Sequence, residues 1–400
     1  MRLSHFEAFK PVCPRCLFLM RAENRLTLAE ITRREGDNII EGRLHCDDDD
    51  CGQSYPILDG MPILMPDMKV LVIGHLAYLV SRDDLSPTVE NMLAEAAGPG
   101  SLIDSMRQLT SSYAWDHYAM HDPAEAVPQP GHEHGSAAAC MRRGLDMLGS
   151  LPDGPLLEIG CATGGATFAL ADADPDRLVI GMDTSFVPLR VAQKVLRNGV
   201  VSYARRRIGM VYDRRTFAHA PAEGGRVDFW LCDAMAAPFA AGTFAGVAAL
   251  NVLDCMPDPP MLLTEVERLL MPGGGAVLAC PYDWAAHATP AEHWLGGKSV
   301  YGDHAGAAEP LVRSLLVPGA HPRSVNGMEL AAEDLNHPWR VRLHDRSTMT
   351  YSTHLITARR TGAALSKPLH ACGCGHAHQD HGHEHAPAAP LPADRPKVTA

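Results

Sequence analysis

The sequence predicts an α/β protein whose main domain is a largely parallel sheet with helices on both faces. Between residues 137 and about 360, apolar runs of strand length alternate with helical patterns, which is typical of such sheets. A glycine-rich bend in this region joins a strand to a helix, and the strands that follow lead into acidic residues. Together these observations favour a fold that binds its ligand beyond the carboxyl ends of the strands.

Four zones are predicted along the 400 residues. Residues 1–68 hold two cysteine pairs and short strand-like pieces, and the polar, helical residues 69–136 suit a linker or lid. Residues 137–360 form the α/β domain. Residues 361–400 are rich in alanine, proline, histidine and glycine, and we expect them to be disordered because they have little to bury.

The bulk composition limits the expected partners. The net charge of −12 disfavours a nucleic-acid partner, because such proteins carry basic faces. The short basic cluster Arg205–Arg207 is interpreted as a solvated helix end or, less readily, a phosphate contact. No signal peptide is recognisable, and the longest apolar run, residues 70–80, is too short to span a bilayer. We therefore expect no membrane contact and a cytoplasmic location, where cysteines stay reduced.

Two cysteine pairs near the N-terminus predict a metal site. Cys13 and Cys16 form a tight knuckle, and Cys46 and Cys51 form a second pair with looser spacing. Four thiolates give Zn²⁺ its preferred tetrahedral cage, and the metal would supply folding energy that so small a core lacks. Two alternatives remain, which are His45 in place of Cys46 and a set of unligated thiols.

The segment after the second cysteine pair, Ser54–Leu64, reads SYPILDGMPIL. Through it, residues 9–66 resemble the small zinc-ribbon proteins that activate methyltransferases, and the ribbons fused to such enzymes. The resemblance implies a scaffold or docking role for this part of the chain and no part in catalysis.

The glycine-rich bend lies in PLLEIGCATGG, residues 155–165, and precedes a predicted helix over residues 166–173. Glycine lets the backbone approach a ligand closely, and a helix N-terminus offers free N–H groups. The next strand ends at Asp183, where a carboxylate can hold both ribose hydroxyls of a nucleoside. A third strand leads to Asp233, which is placed for an adenine amino group. The spacing differs from the Gly-x-Gly-x-x-Gly of NAD-binding domains, so these are disfavoured.

This order of motifs resembles the class I S-adenosylmethionine-dependent methyltransferases and their Rossmann-like sheet. Ala162 stands where that family has its middle glycine. The resemblance implies S-adenosylmethionine as the cofactor, with Asp183 at the ribose and Asp233 with Ala234 at the adenine edge. The residues predicted to line the cofactor, from its methionine end onward, are Glu158, Gly160, Cys161, Ala162, Gly164, Asp183, Asp233, Ala234 and Asn251.

An aromatic segment follows a later strand and reads CPYDWAAHATPAEHWLGG, residues 280–297. Tyr282, Asp283 and Trp284 should emerge beside the transferred methyl group, with Asn251 and Asp254 as neighbours. Aromatic rings exclude water and attract a sulfonium cation or a flat substrate. The segment is therefore interpreted as a pocket wall, although its tryptophans could instead only anchor a lid. The candidate catalytic residues are Tyr282, Asp283, Trp284 and Asp254.

Several short sequence motifs in this region are specific. NVLD at residues 251–254, PYDW at 281–284 and WLGG at 294–297 resemble the C-terminal methyltransferase domain of ovothiol synthases, as do HPWRVRLH at 337–344 and the final strand to Arg360. The resemblance covers residues 150–360 and implies N-methylation of a thiol-bearing histidine imidazole. The iron-dependent half of those enzymes is missing and Asp283 replaces a threonine, which puts the identity of the acceptor in doubt.

The acceptor decides whether a base is needed. A neutral imidazole nitrogen or a thiolate has a free lone pair, whereas an amine or hydroxyl has to lose a proton. The candidate bases are Asp254, Asp283, His287 and His293. Arg340 and Arg342 either pair with a substrate carboxylate or are solvated on an edge strand.

Histidines and cysteines crowd the tail, which reads HACGCGHAHQDHGHEH at residues 370–385. Imidazoles and thiols at this spacing suit a transition metal such as Zn²⁺, Ni²⁺ or copper. The tail is either an additional metal-binding segment or a neutral low-complexity end.

Three functions remain open on the sequence. The leading prediction is a methyltransferase for a small-molecule methyl acceptor, with structural zinc. The second is a protein or RNA methyltransferase that docks its macromolecule through the ribbon, which the acidic charge and the aromatic wall disfavour. The third is a non-catalytic metal-binding protein on a methyltransferase fold.

Overall fold

A computed structural model describes residues 1–67, 99–125, 131, 133–221 and 225–366. The histidine-rich tail and residues 69–98 of the predicted linker lie outside the described residues. The described strands are β1 (Leu26–Glu35), β2 (Asn38–Cys46), β3 (Ser54–Leu58), β4 (Met61–Leu64), β5 (Leu156–Ile159), β6 (Val179–Asp183), β7 (Val200–Ile208), β8 (Val211–Ala218), β9 (Val227–Cys232), β10 (Phe244–Leu250), β11 (Leu270–Cys280), β12 (Met328–His344) and β13 (Ser347–Arg360). The described helices are α1 (Leu3–Phe9), α2 (Pro14–Met20), α3 (Leu102–Tyr118), α4 (Ser136–Leu148), α5 (Gly165–Asp172), α6 (Phe186–Asn198), α7 (Pro259–Leu269) and α8 (Glu309–Leu315).

The main sheet confirms the α/β prediction. Its strands follow the order β9-β6-β5-β10-β11-β13-β12. The first five run parallel, and β13 lies antiparallel to both β11 and β12. Every residue of β5, β9 and β10 is buried, as expected for parallel strands covered on both faces. The order reverses between β5 and β10, so the ligand crevice is expected beyond the carboxyl ends of these two strands and their neighbours.

The N-terminal residues extend this sheet. Strands β1 to β4 form an antiparallel meander, and β4 then pairs in parallel with β9, with Ile63 opposite Leu231 and Leu64 opposite Cys232. Eleven strands therefore share one sheet. The sequence had predicted the short strands of this region but not that they continue the main sheet.

The basic cluster Arg205–Arg207 lies in a β-hairpin, and its interpretation as a helix end is wrong. Strands β7 and β8 pair antiparallel, and Val201 and Tyr203 are buried on one face of β7. The period of two in these apolar residues is that of a strand. Arg205 donates two hydrogen bonds of 3.0 Å to the Asp213 carboxylate on β8 and pairs with Glu125, so the charges of the cluster are engaged within the protein.

Helix α3, within the predicted linker or lid, packs into the core. Trp115 and Tyr118 are buried, and the buried Asp116 carboxylate accepts hydrogen bonds from the Ser136 and Ala137 N–H groups at 2.8 and 3.0 Å. Asp116 thereby satisfies the first N–H groups of α4, which lack partners within their own helix. Asp116 thus fixes α3 to the start of α4.

No helix of the described part of the chain is both long enough and apolar enough to cross a membrane.

Candidate functional site

The glycine-rich bend between β5 and α5 depends on left-handed backbone at three positions. Gly160, Ala162 and Gly164 have φ angles of 75°, 46° and 87°. A Cβ on Gly164 would lie 2.6 Å from the Phe229 ring, and one on Gly160 would lie 2.4 Å from the Val252 side chain. Glycine is therefore required at both ends of the bend for space as well as for φ. Ala162, between them, adopts a conformation that is costly for alanine.

Asp183 stabilises that backbone. Its Oδ2 accepts the Ala162 N–H at 2.8 Å, and its Oδ1 accepts the Ser185 N–H at 2.7 Å. Each carboxylate oxygen has two lone-pair positions, and the Thr184 backbone N–H also interacts with this carboxylate. Burial raises the pKa of Asp183. A vicinal diol, which offers two O–H donors, suits a carboxylate at the end of this strand.

Glu158 and Cys161 are buried at the start of the bend. Glu158 is 2% exposed and accepts a hydrogen bond from the Thr167 hydroxyl on α5. Burial raises the pKa of Glu158 to about 7. The Cys161 side chain is buried, and its N–H donates to the Met182 carbonyl at 3.1 Å. These contacts tie β5, β6 and α5 together below the bend.

Asp233 and Ala234 follow β9, as predicted. The Asp233 carboxylate accepts the Met235 N–H at 2.9 Å and so caps the single helical turn Ala234–Ala236. Burial raises the pKa of Asp233. The acid thus keeps a fixed orientation at the end of the strand next to Asp183.

Two more predicted residues follow β10. The strand ends at Leu250, and a short helical turn follows over Leu253–Cys255. Asn251 takes a left-handed φ of 55°, and among the described residues its buried Oδ1 has no partner. Asp254 is 2% exposed and accepts the Asp283 N–H at 2.9 Å. Burial raises the pKa of Asp254 to about 6.

The aromatic segment lies beside these residues. The hydrogen bond between Asp283 and Asp254 joins the ends of β11 and β10, and the Tyr351 hydroxyl donates to the exposed Asp283 carboxylate at 2.7 Å. The rings of Trp284 and Trp294 stack with centroids 6.0 Å apart and an angle of 10°. Tyr282 lies 6.2 Å from Trp284, again between ring centroids. The structure therefore brings the predicted aromatic and acidic residues together.

The other candidate substrate contacts are engaged elsewhere. Arg342 is 3% exposed, pairs with Asp345, and lies 5.4 Å from the centroid of the Trp115 ring. Arg340 pairs with Glu133 at 3.2 Å. His293 Nδ1 lies 2.6 Å from the Pro257 carbonyl oxygen. These side chains serve packing and loop structure, and their contacts give no support to the prediction that Arg340 and Arg342 bind a substrate carboxylate.

His117 is a site residue that the sequence did not reveal. Its Nδ1 accepts the Gly165 N–H at 2.9 Å and lies 2.7 Å from the Thr163 hydroxyl. Gly165 begins α5, so the imidazole occupies a donor that would otherwise be free. The Tyr118 hydroxyl donates to the Thr163 carbonyl beside it. A histidine-tyrosine pair near the end of an amphipathic helix was the available signal, but it does not identify a partner 46 residues away.

We expect acid to weaken this contact. Burial lowers the pKa of His117 to about 4, so the unfolded chain, with a histidine pKa near 6.5, binds more protons between those values. The free energy of unfolding should fall as pH drops from about 6.5 to about 4, because a protonated Nδ1 cannot accept the Gly165 N–H. Chemical denaturation across this range checks the effect. His117→Gln should flatten that part of the pH dependence, whereas the exposed His304→Gln should leave it unchanged; an unchanged profile in His117→Gln contradicts the assignment.

The four cysteines predicted to bind metal are brought together. Their sulfur atoms all lie within 4.8 Å of one another. Cys13 Sγ is 3.9 Å from Cys51 Sγ, and Cys16 Sγ is 3.7 Å from Cys46 Sγ. His45 Nδ1 instead lies 2.9 Å from the Ser54 hydroxyl. A tetrahedron with Zn–S distances of about 2.3 Å has edges of roughly 3.8 Å, so the four thiols fit this geometry without His45.

Comparison with known proteins finds similarity to methyltransferases. The family model described as a methyltransferase domain matches residues 157–278. Nocamycin O-methyltransferase of Saccharothrix syringae is 28% identical over 193 residues, which cover 46% of this chain and 59% of the relative. The 2-phytyl-1,4-naphtoquinone methyltransferase of Thermosynechococcus vestitus is 31% identical over 130 residues, covering 32% of this chain and 47% of the relative.

The chain spans about half the length of the curated relatives it matches. Among solved structures, Haemonchus contortus phosphoethanolamine N-methyltransferase 2 with S-adenosyl-L-methionine is 23% identical over 35% of this chain and 28% of that chain, with a TM-score of 0.26. The matched residues, 157–278, begin in β5 and end in β11. They are similar to a methyltransferase domain, and the sheet that contains them is a Rossmann-like α/β sheet of largely parallel strands.

Proposed function

We propose that the protein is an S-adenosylmethionine-dependent methyltransferase that acts on a small molecule. The observation that carries this proposal is the Asp183 carboxylate, which lies at the end of β6 and accepts the Ala162 N–H of the glycine-rich bend. A nucleoside ribose is the ligand that matches this arrangement at the end of a second parallel strand. The names of two relatives, nocamycin O-methyltransferase and 2-phytyl-1,4-naphtoquinone methyltransferase, describe small-molecule methylation.

The cofactor supplies an electrophilic methyl group on a sulfonium sulfur. In the proposed site, Asp183 holds the ribose, Asp233 and Ala234 hold the adenine edge, and the bend from Gly160 to Gly164 faces the methionine end. Asn251 directly follows β10. Its side-chain oxygen, which has no partner among the described residues, suits the ammonium group of the cofactor. The protein's main task is to align the nucleophile with the methyl carbon, and such positioning can contribute about 7–11 kcal/mol.

The proposed acceptor is a thiol-bearing histidine imidazole. Support comes from the sequence motifs at residues 251–254, 281–284 and 294–297. The stacked tryptophans also support it, because they offer a flat apolar wall to a planar ring. The buried Asp254, whose pKa burial raises to about 6, and the exposed Asp283 provide the polar contacts that orient such a ring.

We also propose that the cysteine cluster binds one structural Zn²⁺ in a zinc ribbon. The sulfur spacing supports this, as does the burial of Cys13, Cys16 and Cys46. The ribbon would serve as scaffold in a cytoplasmic enzyme, where the thiols stay reduced.

A radiolabelled methyl-transfer screen tests the acceptor. The purified chain is incubated with methyl-labelled S-adenosylmethionine and, in separate reactions, with a thiol-bearing histidine, histidine itself, a phenol, total RNA and a protein extract. We expect transfer to the thiol-bearing histidine. Transfer only to RNA or protein would overturn the small-molecule proposal. Absence of both transfer and S-adenosylhomocysteine binding would favour a non-catalytic metal-binding protein.

A further inference from the structure

A chain of four polar side chains starts at Tyr282 in the aromatic segment and runs across the edge of the sheet. The Tyr282 hydroxyl lies 2.7 Å from His354 Nδ1, and His354 Nε2 lies 3.0 Å from Glu333 Oε2. Glu333 accepts two hydrogen bonds from Arg313, at 2.7 and 3.0 Å. The contacts connect the end of β11 with β13, β12 and α8, so the folded sheet is required to assemble them.

The surroundings fix the direction of each hydrogen bond. Arg313 lowers the pKa of Glu333, so this carboxylate stays ionised and accepts a hydrogen bond from the N–H at His354 Nε2. Burial lowers the pKa of His354, whose side chain is 2% exposed, so its other nitrogen keeps a lone pair at neutral pH. That lone pair faces the Tyr282 hydroxyl, and burial raises the pKa of Tyr282, so the tyrosine keeps its proton and donates it.

Tyr282 is held for this contact. Its φ is 58°, a left-handed conformation that is rare for an aromatic residue and is found where the surroundings enforce it. The neighbouring Asp283 N–H bonds to Asp254 at the end of β10. The tyrosine therefore stands between the acceptor side of the proposed pocket and a buried imidazole.

We propose that Tyr282, His354 and Glu333 form a proton relay that removes a proton from the methyl acceptor. This inference rests on the proposed function. A lone pair of the acceptor forms the bond to the methyl carbon, and the carbon–sulfur electron pair stays on sulfur. A proton leaves a nitrogen or oxygen of the acceptor for the Tyr282 oxygen as the tyrosine proton passes to His354 Nδ1. The imidazolium is then paired with Glu333, in the way a third group supports a base–nucleophile pair.

The relay restricts the acceptor class. The acceptor carries an N–H or O–H proton that becomes acidic as methylation proceeds, as in a neutral imidazole or a phenol. Methylating one imidazole nitrogen makes the N–H on the other far more acidic, so proton removal there stabilises the transition state. A thiolate, which has no proton to lose, would gain nothing from the relay. The inference thus favours nitrogen or oxygen over sulfur as the methylated atom.

Several charged or titratable side chains influence the pKa values of His354 and Tyr282. Those that face His354 are Glu333, Arg313 and Glu309, and those that face Tyr282 are Cys280, Glu309, Arg313 and Asp254.

The kinetic test compares Tyr282→Phe, His354→Asn and Glu333→Gln with Tyr301→Phe and His304→Asn, which alter exposed residues. With a thiol-bearing histidine as the probe, we expect the first two variants to lower kcat by about 10²–10⁴-fold, the range for acid–base catalysis. S-adenosylhomocysteine affinity, measured by calorimetry, should stay within about twofold. In wild type, kcat should fall as pH drops through the pKa of His354, and Tyr282→Phe should remove that limb. An unchanged kcat in Tyr282→Phe overturns the relay.

A spectroscopic arm keeps the relay testable if the probe is not methylated. Nitrogen NMR of histidine-labelled protein, with His354 assigned from His354→Asn, reports its protonation at pH 7.5. The relay requires a neutral imidazole with the proton on Nε2. An imidazolium, or a proton on Nδ1, overturns the relay. Bound S-adenosylhomocysteine without methyl transfer to any probe would instead count against the proposed acceptor.

Discussion

Asp183→Ala is expected to abolish measurable S-adenosylhomocysteine binding while the protein stays folded. The variant loses both hydrogen bonds proposed for the ribose, and a hydrogen bond to a charged group contributes about 1.5–3 kcal/mol. It also leaves the Ala162 N–H without its acceptor, so the strained bend loses support. A combined loss of roughly 3–6 kcal/mol raises the dissociation constant by at least ~100-fold.

Calorimetric titration measures this effect, with Asp176→Ala as the matched control. Asp176 is an exposed acid in the loop before β6, so its removal changes the net charge by the same amount without touching the bend. Equal affinities in wild type and Asp183→Ala would contradict the cofactor site. A loss of affinity in Asp176→Ala as well would indicate that long-range charge, and not the Asp183 contact, determines binding.

Cys16→Ser is expected to remove the bound zinc and to lower the thermal stability of the whole chain. Structural Zn²⁺ contributes about 10–16 kcal/mol in isolated zinc-finger peptides, and Cys16 is fully buried among the other thiols. The loss should spread because α2 packs against the turn Ala234–Ala236, and the Val12 N–H donates to the Pro238 carbonyl at 2.7 Å. We expect a fall in Tm of more than about 5 °C and weaker cofactor binding, since Asp233 caps that turn.

Zinc content by elemental analysis and Tm by calorimetry measure these changes. Cys255→Ser is the control, because Cys255 is an exposed thiol outside the cluster, and it should keep both the metal and the Tm. Full zinc content in Cys16→Ser would contradict the ligand set. Zinc loss without a change in Tm would show that the cluster does not hold the fold together.

The sequence was informative where chemistry depends on local order. The bend needs glycine at residues 160 and 164 because of φ and of the space available, and both requirements leave a pattern of neighbouring letters. Asp183 and Asp233 end apolar runs, so their place at one edge of a parallel sheet follows from the fold. The cysteine spacing likewise predicted the cluster that the structure assembles.

The contacts that sequence analysis missed join distant parts of the chain. His354 lies 72 residues from Tyr282, and His117 lies 48 residues from Gly165. No local sequence motif surrounds either histidine, because sheet register and helix packing determine which residue it contacts. The prediction for the Arg205–Arg207 cluster was wrong for a related reason. The arginines were interpreted as solvated charges, whereas Arg205 and Arg207 form ion pairs with acids that are distant in sequence.

The parallel pairing of β4 with β9 has a consequence for how the protein can fail. Without β4, one side of β9 would present unpaired peptide groups to its surroundings, and an apolar strand so exposed is a template for association with other chains. The N-terminal meander therefore shields the methyltransferase sheet from edge-to-edge aggregation. Oxidation or chelation that loosens the cysteine cluster is therefore expected to lower the solubility of the protein as well as its affinity for the cofactor.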